Sequence, residues 1–125
     1  ITQPLYAVAA EDDHIAPWAQ AFKVTHHVTG PKRFVLSSSG HILGIINPPV
    51  NPPKRSYRVG EAHRSATVDS WQGAATTHEG SWWDDWMAWL KPRCGDLGDP
   101  MPTSKRGFAK LADAPGTYVL ARPDV

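Results

Sequence analysis

Apolar residues fall in short blocks separated by proline, glycine and acidic clusters. Residues 4–10, PLYAVAA, form an apolar run closed by Pro4 on one side and acidic residues on the other, which predicts a buried strand. Glu11 to His14 (EDDH) then mark a loop. Pro17 suits the first turn of a helix, where its missing N–H is no loss. The helix is expected to run through WAQAFKVTHHV, with Ala21, Val24 and Val28 on one face and Phe22 near its edge, until Gly30-Pro31 stops it. RFVLS, residues 33–37, reads as a second strand. Strand, helix and strand within about 35 residues match a βαβ crossover, whose two strands run parallel.

SSSGHILGIINPP follows, with Gly40 marking a tight loop and Pro48-Pro49 ending a short apolar stretch. Residues 48–56, PPVNPPKRS, suit neither a helix interior nor a central strand and are expected as an extended surface loop. YRVGEA around Val59 reads as a short strand or turn, and DSWQGAATTHEG as holding a short helix with Asp69 at its N-cap. Ser81 opens a clearer helix, SWWDDWMAWLKP, with Asp84 three residues on in a near capping box. Asp84 and Asp85 in its first turn and Lys91 in its last suit the helix dipole. Trp82, Trp86, Trp89 and Leu90 share one face by spacing, expected to pack against the rest of a larger domain. Residues 93–114 are rich in glycine, proline and lysine and are expected to be poorly ordered. GTYVLAR (Gly116 to Arg122) reads as a late edge strand.

Composition narrows the function classes. Thirteen basic and 12 acidic residues give a net charge of +1, which argues against a strongly electrostatic binder of nucleic acid or membrane surfaces. No window approaches the ~20 uninterrupted apolar residues of a membrane-spanning helix. The one cysteine, Cys94, excludes an internal disulfide framework and a cysteine-rich zinc site, and fits a reducing compartment. Twelve prolines, about twice the usual share of about 5%, favour long loops, and six tryptophans call for large buried faces. ITQPLYAVAA carries no charged leader, so no signal peptide is expected and the chain reads as one entered within a domain.

The informative chemistry is the placement of Asp13 just after the first strand and His41 just after the second, 28 residues further on. Parallel neighbours put both loops at one sheet edge, where sites of open α/β sheets gather. An acid and then a histidine after successive strands follow the chain order of α/β-hydrolase triads, with His41 as general base and Asp13 holding its tautomer. The literal strings sharpen this. EDDHIAPW, GPKRFVLSSSGHILGIINPP and GSWWDDWMAWL closely resemble the carboxyl-terminal region of class I polyhydroxyalkanoate synthases, acyltransferases that polymerise (R)-3-hydroxyacyl-CoA. The resemblance covers most of residues 4–91, and APGTYVLARP more weakly.

The resemblance implies an α/β fold: the C-terminal portion of an α/β-hydrolase, with its last parallel βαβ unit and terminal helices over residues 1–91, incomplete on its own, and a Gly/Pro-rich tail over 92–125. Asp13 matches the family's catalytic aspartate, His41 its catalytic histidine and His14 the supporting histidine beside the aspartate. The family's cysteine sits in a Gly-x-Cys-x-Gly box upstream of the aspartate. No such box occurs here, and Cys94 in PRCGDLG follows His41, in the wrong order and with the wrong flanks. The expected partners are a hydroxyacyl-CoA thioester, the growing polyester and the remainder of the catalytic domain, with a homodimer as one form of assembly. No separate cofactor or metal is implied. The expected location is the cytoplasm, at the surface of polyester granules.

Plainer readings compete residue by residue. Asp13 could simply cap the helix near Pro17, and one carboxylate serves two roles poorly. Asp12 is the alternative acid, and His14 could be structural. His26 and His27 are expected to face solvent, His63 and His78 to lie in loops, and Cys94 to be inert. Two other functions stay open at this stage. One is a non-enzymatic interaction module using the Trp82/Trp86/Trp89 face. The other is the end of a related esterase or depolymerase, which a serine in the missing box would mark.

Overall fold

The computed structural model describes residues 1–100, 109 and 111–121. The chain forms two compact units, Ile1–Gly95 and Asp96–Val125. The first is built on a four-stranded sheet of order β1-β2-β3-β4, with β1 at Leu5–Ala10, β2 at Lys32–Ser37, β3 at Ser56–Glu61 and β4 at Thr76–Glu79. β1 and β2 are parallel, paired from Leu5↔Lys32 to Ala10↔Ser37, as the crossover length predicts. β3 and β4 add antiparallel, giving a mixed sheet.

Side chains alternate across a strand, so the two faces of the sheet hold different cores. On one face Ala9, Phe22, Phe34, Leu36, Ala62 and Trp71 cluster, with Phe34 and Trp71 ring centroids 4.9 Å apart. On the other, Val35, Tyr57, Val59 and Trp82 cluster, with Tyr6, Val8, Trp83 and Trp86 packed on them. Phe34, Val35 and Leu36 are each at most 1% exposed, so β2 is buried on both faces and reads as an unbroken apolar run.

The crossover helix is broken into α1 (Trp18–Ala21) and α2 (Val24–His27). The Thr25 hydroxyl donates to the Phe22 carbonyl at 2.8 Å, and Lys23, Thr25 and His26 N–H groups bond three residues back rather than four. The β-branched residues Val24 and Thr25 favour the break. The buried positions are therefore Phe22, Thr25 and Val28, whereas Ala21 and Val24, expected on the core face, are exposed. α3 (Val68–Ala74) starts from Thr67, not Asp69: Thr67 and Ser70 exchange side-chain bonds to each other's backbone N–H in a capping box.

α4 (Trp82–Leu90) is capped by Ser81, whose Oγ accepts from the Trp83 N–H at 3.0 Å. Its tryptophans pack on this chain's own sheet rather than waiting for a larger domain: Trp82 is 9% exposed, and Trp89 lies 5.3 Å from the Tyr6 ring. A 3-10 turn at Lys91–Arg93 follows, with the Arg93 guanidinium 4.2 Å over Trp89. In the second unit, Tyr118–Leu120 form a 3-10 turn and not the expected strand, and Arg122 lies outside the described residues. The expected disorder of 93–114 falls partly outside them as well. Among the described residues no helix is long and apolar enough to cross a membrane.

Candidate active site at the carboxyl edge of the sheet

The parallel pairing of β1 and β2 continues past the strands. Glu11 N–H donates to the Ser37 carbonyl at 2.8 Å and Asp12 N–H to the Ser39 carbonyl at 3.1 Å. Ser39 then adopts a left-handed backbone, φ 82°, which non-glycine residues seldom take, and the chain enters a tight turn there. The turn is closed by Gly44 N–H to the Gly40 carbonyl and Ile46 N–H to the Ile42 carbonyl, both 2.8 Å. Gly44 sits against the end of β1. A Cβ there would lie 2.4 Å from the Ala10 Cβ and 2.9 Å from the Gly40 carbonyl oxygen, so the close approach requires glycine.

This arrangement brings Asp13 and His41 together. His41 Nδ1 lies 2.8 Å from Asp13 Oδ2. The other oxygen, Oδ1, accepts from the backbone N–H of Ile15 at 2.9 Å and of Ala16 at 2.8 Å. The carboxylate thus turns its own loop with one oxygen and meets His41 with the other. The helix is left to start from Pro17 with no side-chain cap. The two roles that compete on paper divide between two atoms.

Electrostatics follow from these bonds. The Ala16 N–H, helped by His41 and the Ile15 N–H, holds Asp13 below the usual carboxylate value against a desolvation that works the other way. An ionised carboxylate only accepts, so the proton between the pair sits on His41 Nδ1. In the neutral imidazole, Nε2 then carries the basic lone pair. The His41 side chain is 47% exposed while that of Asp13 is 7% exposed, and Nε2 has no partner among the described residues. Beside it opens a shallow cleft of about 280 Å³, lined by His14, Ile15, Ser39, His41, Ile42 and Leu43 among others.

His14 reaches this cleft but makes no hydrogen bond to Asp13 or His41 among the described residues. Asp12 is exposed, and among the described residues His41 pairs with Asp13 and not with it. Cys94 is exposed beyond α4 and has no bond to the pair. His26, expected in solvent, is half-buried, its ring edge-on to Phe22 and its Nε2 3.0 Å from the Ala66 carbonyl. His78 lies on β4, a strand the sequence reading missed, and stacks on Tyr57 at 5.2 Å. Among the described residues no group of three or more histidine, cysteine or acidic side chains could hold a metal.

Periodicity gave no signal for a polar network beneath α4. Asp85 accepts from Tyr6 Oη at 2.8 Å and from Arg33 Nε at 2.9 Å and Nη2 at 2.5 Å, a bidentate pair with side chains 14% and 29% exposed. Burial opposes the Asp85 charge, but the Arg33 and Tyr6 bonds outweigh it and hold the carboxyl below its ordinary range. Burial and the neighbouring carboxylate push the Tyr6 phenol up.

No protein-family model matches the chain. It is 42% identical over 119 residues to "Poly(3-hydroxyalkanoate) polymerase 1" of Ectopseudomonas oleovorans, a match covering 94% of this chain and 21% of that protein. It is 38% identical over 123 residues to "Poly(3-hydroxyalkanoate) polymerase subunit PhaC" of Cupriavidus necator, covering 98% of this chain and 20% of that protein. "Poly(3-hydroxyalkanoate) polymerase" of Methylorubrum extorquens is 37% identical over 116 residues, 93% of this chain and 19% of that protein. The likeness therefore runs well past residue 91, and the chain spans about a fifth of the length of these relatives. The chain thus matches, over nearly all of its length, one segment of the poly(3-hydroxyalkanoate) polymerases.

Proposed function

We propose that this chain is the part of a polyhydroxyalkanoate synthase that supplies the histidine and aspartate of a Cys-His-Asp triad, with the cysteine carried by another part of the protein. The observation that carries this reading is the 2.8 Å contact between His41 Nδ1 and Asp13 Oδ2 at the carboxyl edge of two parallel strands, in a family of polyester polymerases. His41 Nε2 takes the proton of the cysteine thiol, and the thiolate attacks the carbonyl of a hydroxyacyl-CoA thioester. The bond to the CoA sulfur breaks, CoA leaves with the proton from His41, and an acyl-enzyme thioester remains. The 3-hydroxyl of a second acyl unit then gives its proton to His41 Nε2 and attacks that thioester; the ester C–O bond forms, the bond to the cysteine sulfur breaks, and the sulfur leaves with the proton from His41.

The burial of Asp13 supports His41 as the base for both proton transfers. Both Asp13 oxygens are engaged and its side chain is 7% exposed, so Nε2 is the basic atom of the pair that opens to the cleft. The apolar lining from Ile15, Ile42 and Leu43 suits the methylene-rich body of a hydroxyacyl group. The tryptophan face is occupied by the chain's own sheet, which favours this reading over a free tryptophan binding surface. Synthases of this kind act at the surface of cytoplasmic polyester granules, and that location is part of the proposal.

CoA release from (R)-3-hydroxybutyryl-CoA tests the reading. The chain alone should release none, and release should appear on mixing with the separately expressed remainder of its parent. Release by the chain alone that is lost in Cys94→Ser would overturn it.

A further inference from the structure

The turn that carries His41 lies outside the sheet, and Ile42, Leu43 and Ile46 within it are 67%, 52% and 60% exposed. Its backbone is nonetheless tied down at three carbonyls, those of Gly44, Ile45 and Asn47, by the start of a helix far along the chain. Trp82 Nε1 donates to the Gly44 carbonyl at 3.0 Å, and Trp83 Nε1 to the Ile45 carbonyl at 3.2 Å. Ser81 Oγ donates to the Asn47 carbonyl. Ser81 Oγ also accepts from the Trp83 N–H, so the bond that starts α4 and the bond that holds residue 47 share one atom. Asn47 itself is buried, its Nδ2 has no partner among the described residues, and its carbonyl links it to the start of α4.

Resting on the triad reading above, we propose that Ser81, Trp82 and Trp83 are positioning residues for His41. They clamp the turn from one side while the Gly44–Ala10 contact closes it from the other, fixing Nδ1 on Asp13 Oδ2. The tryptophan pair at the start of α4 thus has a second task beyond packing: each indole spends its one N–H on the turn. Trp86 is the internal contrast. It packs on the same cluster and meets Trp82 edge-on at 6.2 Å, but makes no hydrogen bond to the turn among the described residues.

The test uses the intact polymerase that carries this segment, with Trp83→Phe, Trp86→Phe and His41→Ala compared for CoA release and for amide hydrogen exchange. Trp83→Phe keeps the ring and loses the donor. One neutral hydrogen bond is worth about fivefold in an equilibrium, so exchange at Gly44 and Ile46 should quicken about fivefold. kcat should fall by about the same factor with KM unchanged, and Trp86→Phe should change neither reading. Trp82→Phe bares a carbonyl in a buried place and is judged by exchange in the folded fraction, where the Gly44 amide should quicken further. Unchanged exchange in Trp83→Phe, or quickened exchange with a wild-type kcat, would overturn the clamp. Near-normal activity of His41→Ala would instead overturn the triad reading, which separates the two failures.

Discussion

At the scale of single residues, Asp13 carries the most. Oδ1 holds two backbone N–H groups of its own loop and Oδ2 holds His41. Asp13→Asn keeps an acceptor for Ile15 and Ala16 but turns an amide N–H toward His41 Nδ1, which can no longer donate. In the intact enzyme kcat should fall by about 10³–10⁴, with the fold retained by circular dichroism, as expected when the wrong tautomer is imposed. The pair should persist across neutral pH. Because Asp13 is held below its ordinary value of 3.8, its bond to His41 is complete above that value and is lost only as pH falls through the lowered one. Gly44→Ala should cost about 1–3 kcal/mol in urea unfolding, since the new methyl meets the Ala10 Cβ at 2.4 Å and a backbone carbonyl at 2.9 Å. Asp13 and His41 were legible in the sequence because each follows an apolar run and sits in an unusual string. The division of labour between the two carboxylate oxygens was not, because it depends on the Ile15 and Ala16 amides, which no pattern of side chains reveals.

At the scale of elements, the parallel β1–β2 pair and the capped α4 follow from apolar runs and cap residues. The broken crossover helix and β4 do not. The first was missed because Thr25 turns its hydroxyl back on the Phe22 carbonyl, a local bond that outweighs an amphipathic stripe. The second was missed because TTHE is exposed at all four positions and has no apolar face to read; only pairing with β3 makes it a strand. α4 is fixed to the sheet by its tryptophans and by Asp85 on Arg33. Asp85→Asn should destabilise by about 2–3 kcal/mol, below the range for a fully buried pair because Arg33 is partly solvated. Asp85 also lies below its ordinary 3.8, so its stabilisation is present above that pH and lost as the pH drops through the folded value. The gap between wild type and Asp85→Asn in urea midpoints should therefore narrow below about pH 4.

At the scale of the molecule, the proposed reading makes this chain the carrier of a base and of the acid that orients it, with the nucleophile elsewhere. Among the described residues β1 pairs with β2 alone and leaves its other edge free. Apolar residues beside the site are open to solvent, Ile15 at 65% and Ile42 at 67%. An apolar edge and patch of this kind favour association. The weight-average mass of the chain alone in light scattering should rise above 13.7 kDa with concentration, and a constant monomer mass would contradict that. The resemblance was legible because its longest strings surround Asp13 and His41, the pair proposed as acid and base. The central claim is that His41 is the base of a polyester-forming acyl transfer. It is tested most directly by CoA release from (R)-3-hydroxybutyryl-CoA by the intact polymerase and its His41→Ala variant. Release reduced by about 10³ or more in a folded protein is the predicted result; release near the wild-type rate would contradict it.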